Sequence, residues 1–178
     1  VSLLKPYQKS RILTFFNPDR DPLGAGYQII QSKIAIGSGG FFGKGFLKGT
    51  QSYLEFLPEK HTDFIFTLFS EEFGFLGSIM LLLLYILLIY RIISIGFYAK
   101  SFFSKLFCFG FASAIFLYIF VNISMVLGLL PIVGAPLPIM SYGGSSMLSI
   151  MLGLSIVMSC KIYLSLIHIS EPTRPQCI

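Results

Sequence analysis

Two long uncharged runs dominate the second half of the chain. Residues 73–90 carry no charge over 18 positions, and residues 106–160 none over 55. A helix crossing a bilayer needs about 20 mostly apolar residues. Extended back to Asp63, where the polar sequence ends, the first run predicts a helix over 63–90, roughly 40 Å long at the standard helical rise. Pro131, Pro136 and Pro138 divide the second run, because proline ends helices. Two further spans are therefore predicted over 106–130 and 141–162.

Residues 1–62 pattern differently. Four prolines, eight glycines and eight Lys or Arg are spread among apolar residues, and no run is long enough to span. Tyr27, Ile30 and Ile34 fall three and four apart, with Gln28, Gln31 and Lys33 between them. That spacing predicts a short amphipathic helix at the membrane surface, ended by Gly37. Within the first span, Asp63, Thr67, Ser70, Gly74 and Ser78 recur at helical spacing as one small-and-polar stripe. Such a stripe packs against other helices or a wet cavity, leaving residues 81–84 for lipid.

Composition agrees with a membrane protein. The chain is 54% hydrophobic and 12% charged, about half the charged fraction of a soluble domain. The net charge of +5 is scattered rather than clustered, so it is no nucleic-acid footprint and fits anionic lipid head groups. Arg91, Lys100 and Lys105 stand without an acid in the connector 91–105, which places that connector in the cytoplasm. Asp63 and the segment 131–144 then share the external face. Three spans that start outside imply further spans upstream. Val1 is not a start methionine and no signal peptide follows it, so the chain reads as a fragment. Cys108, Cys160 and Cys177 have neither disulfide nor metal spacing.

The densest chemistry precedes the first span, in Gln51-Ser-Tyr-Leu-Glu-Phe-Leu-Pro-Glu-Lys-His-Thr-Asp63-Phe-Ile-Phe66. A carboxylate at the mouth of a membrane helix has either a structural partner or a job. On residue types alone, Thr62 or Asp63 reads as a helix cap. Glu71 and Glu72 enter about two turns further on, and at least one reads as a structural hydrogen-bonder. Gly37-Ser-Gly-Gly-Phe-Phe-Gly-Lys-Gly45 fails the phosphate-loop pattern at Ser38 and Gly45. It reads as a tight turn whose free N–H groups could help hold an anion. Pro136-Leu-Pro-Ile-Met-Ser-Tyr-Gly-Gly144 is either a plain turn or, since irregular backbone at membrane depth must be covered, the lining of a cavity.

Four blocks in order resemble the SEDS family (shape, elongation, division and sporulation) of membrane glycosyltransferases. They are Leu4-Lys-Pro-Tyr-Gln8 with Asp21-Pro-Leu-Gly-Ala-Gly-Tyr27, then Gln31-Ser-Lys-Ile-Ala-Ile-Gly-Ser-Gly-Gly40. Leu54-Glu-Phe-Leu-Pro-Glu-Lys-His-Thr-Asp-Phe-Ile-Phe66 and Pro136-Leu-Pro-Ile-Met-Ser-Tyr-Gly-Gly-Ser145 complete the set. Gly43-Lys-Gly45 and Gly49-Thr-Gln51, with Leu54-Glu-Phe56, resemble the RodA-like elongation branch more than the division branch. The likeness covers residues 1 to about 163. Residues 164–178 resemble translated sequencing-adapter read-through and are set aside as a non-native tail.

The resemblance implies an all-α, polytopic integral membrane protein of the bacterial inner membrane. This chain would supply the last three of its ten transmembrane helices (63–163), preceded by a long external loop (1–62). It also implies a reaction: polymerisation of lipid II into β-1,4 glycan, with Asp63 as general base and undecaprenyl pyrophosphate leaving. Pyrophosphate departs without protonation, so one carboxylate and some cations suffice, whereas a glycosidase needs a second carboxylic acid. Lys33, Lys44, Lys48, Lys60 or a divalent cation, Mg or Mn, would neutralise the phosphates. His61, Ser141, Gly143 and Gly144 complete the expected substrate-binding set. Expected partners are a class B penicillin-binding transpeptidase and membrane proteins of the elongation machinery. Two competing classes remain at this point, a transporter or flippase of the same precursor and a structural scaffold in which Asp63 is replaceable.

Overall fold

The structure is a computed structural model describing residues 25–49 and 62–169. Those residues form four helices and no strand: α1 (Ala25–Gly39), α2 (Ile65–Tyr98), α3 (Phe102–Val126) and α4 (Gly144–Ile169). Three of them, α2, α3 and α4 through Ile162, are long and apolar enough to cross a membrane. The protein is a multi-pass membrane protein. The expected blocks before residue 25, the whole stretch 50–61 and the tail from 170 lie outside the described residues.

α1 forms where the 27–34 spacing predicts a helix, but it buries another face. Ile30 and Ile34 are 40% and 49% exposed, while Ile29, Ser32 and Ala35 are buried. Small residues win this face because they let α1 approach closely. A side chain at Gly39 would stand 2.3 Å from the Ser70 carbonyl, and Ser32 Oγ donates to Val126 O at 2.9 Å. The helix runs past Gly37 and stops at Gly40, whose φ of +58° suits the left-handed residue that ends many helices.

α2 departs most from the straight span expected over 63–90. It breaks at Gly74, with φ 70° and ψ −163°, a conformation open to glycine alone. Ser70 Oγ and Ser78 Oγ lie 2.8 Å apart, whereas a straight helix would separate those residues by roughly 12 Å. Tyr85 Oη donates to Pro138 O at 2.5 Å, and Ser141 Oγ donates to Thr62 O at 2.6 Å. Residues 62 and 85 would stand roughly 35 Å apart along a continuous helix, yet both reach the same short segment. A first arm over 65–73 therefore folds back beside a second arm over 75–98.

The break is filled by the glycine turn. Lys44 N–H and Gly45 N–H donate to Glu71 O and Glu72 O at 3.1 and 3.0 Å, and Phe75 N–H and Leu76 N–H donate to Gly40 O and Phe41 O at 2.9 and 3.2 Å. Four backbone groups freed by the kink thus find partners, as buried peptide groups must. Lys44 Nζ pairs with Glu71 Oε1 at 2.7 Å, with the Glu71 side chain fully buried.

The other boundaries shift as well. The second arm continues through Arg91 to Tyr98, and α3 begins at Phe102, so the connector expected over 91–105 shrinks to 99–101. Arginine marks where a helix leaves lipid, not where it stops, because its long stem reaches outward. α3 ends at Val126 rather than 130, with Gly128 at φ +68°. α4 starts at Gly144 rather than 141. A side chain at Gly96 would sit 2.9 Å from Cys108 Cβ, and one at Gly153 would overlap the Phe111 ring. These two glycines let α2, α3 and α4 close on one another.

Candidate functional site

Asp63 stands just before the first arm of α2, and the fold-back carries it away from the break. The N-cap falls on Phe64, with no side-chain cap bond, so the capping position passes to a residue without an acceptor. Two side chains instead hold the backbone around Asp63. Asn122, buried on α3, donates from Nδ2 to Asp63 O at 2.9 Å and to Ala135 O at 2.6 Å. Ser141 Oγ donates to Thr62 O and accepts from Leu137 N–H, both at 2.6 Å. Residues 62–63 are thereby stitched to the proline-rich segment between α3 and α4. A Cβ built on Gly134, where φ is +78°, would stand 3.2 Å from Asp63 Oδ2. The missing side chain is the space into which the carboxylate fits.

The depth of this assembly follows from the helix ends. Asn122 lies four residues before the end of α3, which is about 6 Å, or one turn, inside it. Asp63 and Ala135 share that level, and Pro138 lies deeper, beside Tyr85. Irregular backbone there must be covered by protein or line a cavity. A cavity of about 650 Å³ is lined by Ile65, Ile139, Met140, Ser141, Gly143 and Gly144, together with Tyr142 and Met147. Its wall is strained, because Ile139 has φ +69°, a conformation that β-branched residues rarely adopt. The proline segment is thus more than a plain turn.

The expected site residues separate into three sets. Asp63, Ser141, Gly143 and Gly144 come together, although the Ser141 hydroxyl proton is already donated to Thr62 O. Lys33 reaches the same end of the bundle. Its Nζ would lie 2.7 Å from a Cβ on Gly128, just beyond the C-terminus of α3, where the helix dipole favours a cation. Lys44 is engaged with Glu71 at the α2 break, and Lys48 is exposed beyond the glycine turn. Lys60 and His61 lie outside the described residues.

Sequence reasoning passed over Asn122, Gly134 and Tyr85. Asn122 had a signal, being the one amide in the uncharged run 106–160. Gly134 and Tyr85 had none that pointed to Asp63 or to Pro138.

Comparison with known proteins gives these residues a context. The FtsW/RodA/SpoVE family of cell cycle proteins matches residues 1–166. The chain belongs to the FtsW/RodA/SpoVE family. This is the SEDS family that the four sequence blocks resemble, and the match leaves most of 164–178 outside it. Peptidoglycan glycosyltransferase MrdB of Escherichia coli (strain K12) is 56% identical over 157 residues, covering 88% of this chain and 42% of that relative. Peptidoglycan glycosyltransferase RodA of Treponema pallidum (strain Nichols) is 46% identical, covering 89% and 37%. Stage V sporulation protein E of Bacillus subtilis (strain 168) is 41% identical, covering 90% and 44%.

A solved structure from the work "Structural coordination of polymerization and crosslinking by a peptidoglycan synthase complex" superposes with a TM-score of 0.67. It is 38% identical, covering 89% of this chain and 43% of that one. The chain thus spans less than half the length of these family members.

Proposed function

We propose that this chain carries the catalytic end of a peptidoglycan glycosyltransferase that polymerises lipid II at the external face of the bacterial inner membrane. The observation that carries the reading is the way Asp63 is held. Its backbone is tied by Asn122, its neighbour Thr62 is tied by Ser141, which lines the cavity, and its carboxylate rests against Gly134. A carboxylate whose backbone is fixed from two sides suits a general base, which must sit within hydrogen-bond reach of the proton it takes. Asp63 would accept the proton of the acceptor GlcNAc 4-hydroxyl as its oxygen attacks the anomeric carbon of the donor MurNAc. The bond to undecaprenyl pyrophosphate breaks with inversion, and the electron pair leaves with the phosphate.

Lys33, beside the C-terminus of α3, would meet those phosphates, since Lys44 is engaged with Glu71. A Mg or Mn ion would supply the same neutralisation when bound. Among the described residues no group of three His, Cys, Asp or Glu side chains could hold one.

The rest of the reading comes from relatives. MrdB and RodA are named peptidoglycan glycosyltransferases, and the RodA-like blocks Gly43-Lys-Gly45 and Gly49-Thr-Gln51 support the elongation branch. The synthase complex favours a class B penicillin-binding transpeptidase as partner, within a ten-helix full-length protein alongside other elongation proteins. A flippase would instead use a carboxylate free to change partners. The buried carboxylate of the helix pair, Glu71, is bonded to Lys44 and walled in by the glycine turn.

The deciding experiment reconstitutes the full-length protein in vesicles that display lipid II on one leaflet. Glycan strands should form without movement of lipid II between leaflets. Transfer between leaflets with no polymer would turn the assignment to a transporter.

A further inference from the structure

Asn122 is buried with 0% exposure, and both protons of its amide nitrogen are used. One goes to Asp63 O at 2.9 Å and the other to Ala135 O at 2.6 Å. Its own Oδ1 has no hydrogen-bond partner. Burying an amide with one atom unpaired is unfavourable, so packing alone would be served better by an aliphatic side chain. The amide's use at this position is its pair of donors. They bridge two segments distant in sequence, one leading into α2 and one between α3 and α4.

We propose that Asn122 is a positioning residue for Asp63, a role that rests on the reading of Asp63 as the general base. By fixing Asp63 O relative to Ala135 O, the amide fixes the Asp63 side chain relative to Gly134, the residue beside Ala135. The carboxylate then needs no reorientation when the acceptor hydroxyl arrives. Ser141 makes a parallel tie one residue earlier, at Thr62. Asn122, unlike Ser141, lines none of the cavity at the site, so it acts through the backbone it ties and not on substrate directly.

A double-mutant cycle on the purified full-length protein tests this, reading polymerisation of lipid II per folded molecule. Displacing a reacting group by about 1 Å costs on the order of a hundredfold in rate. Asn122→Ala should therefore lower kcat by at least about tenfold and leave KM within about threefold. Asn122→Gln, which keeps the amide but moves it by one carbon, should fall between Ala and wild type. Residues acting through one another are non-additive. In an Asp63→Asn background, Asn122→Ala should therefore cause less than about a twofold further loss.

Wild-type kcat in Asn122→Ala, or full additivity in the double variant, would overturn the proposal. If Asn122→Ala does not accumulate, Asn122→Gln carries the same cycle. If neither accumulates, Asn122 belongs to folding and the proposal fails. An inactive Asp63→Asn beside an unimpaired Asn122→Ala would overturn this inference alone. A fully active Asp63→Asn would remove the base reading itself.

Discussion

Gly134 and Asp63 show how narrowly the site is fitted. A methyl at residue 134 would meet Asp63 Oδ2 at 3.2 Å, on a backbone with φ +78°. Holding an L-residue there costs about 1–2 kcal/mol, which the fold should tolerate. The carboxylate would have to give by a few tenths of an ångström. We expect Gly134→Ala to accumulate near normally and to polymerise about tenfold more slowly, by the sensitivity of rate to misplacement. Polymer formed per amount of protein checks this, and an unchanged rate would mean the carboxylate tolerates displacement. Asp63, Ser141, Gly143 and Gly144 were legible as a group because their types and motif blocks stood out in an apolar chain. The lysines were not separable, since a cation's role depends on which acid or helix end it meets. Lys44 meets Glu71 and Lys33 meets the end of α3, and neither partner is near in sequence.

At the scale of elements, the interlock between the glycine turn and the α2 break is the main feature that periodicity hid. The stripe of Thr67, Ser70, Gly74 and Ser78 is buried as the pattern implied, but Gly74 looked like one more small packing residue. Its other half, residues 40–45, lies some thirty positions upstream, so the reciprocal hydrogen bonds exist only once the chain has folded. A side chain at Gly74 would stand 2.3 Å from Gly43 N, and one at Gly43 would stand 2.1 Å from Glu72 O. Neither contact can be relieved by rotating a side chain. Gly74→Ala and Gly43→Ala should each sharply lower the amount of folded protein, measured by detergent-extracted monomer in size exclusion. Normal yield from either would show that the break can straighten. Removing one partner of a buried ion pair costs about 3–5 kcal/mol. With 26% of its side chain exposed, Lys44 belongs at the low end, so Lys44→Ala should destabilise by about 3 kcal/mol. A thermal unfolding series that includes Lys44→Ala with Glu71→Ala should recover part of that loss, because the double variant leaves no buried charge unpaired.

The whole molecule is a set of apolar helices that exposes much of its apolar surface. Leu83, Leu84, Ile86 and Leu87 on α2, and Phe116, Leu117 and Phe120 on α3, are all more than half exposed. Lipid and further helices are the partners such faces take. The chain also spans less than half of its relatives, so residues 1–178 expressed alone should form no glycan, and polymer from that purified piece would refute this. Orientation is testable in the full-length protein lacking native cysteines. A cysteine at Tyr142, 83% exposed, should react with an impermeant maleimide from outside, and one at Ser101 should not; the reverse pattern would invert the site. The most direct test of the account is Asp63→Asn in the full-length protein bound to its transpeptidase partner. Asp63 does not cap the helix and asparagine matches it in size, so folding should be little affected, whereas losing a positioned base costs about 10²–10⁴ in rate. With protein amount matched, the variant should accumulate and bind its partner near normally, while its polymerisation of lipid II falls at least about a hundredfold. Near-wild-type glycan strands from Asp63→Asn would contradict the assignment of Asp63 as the base.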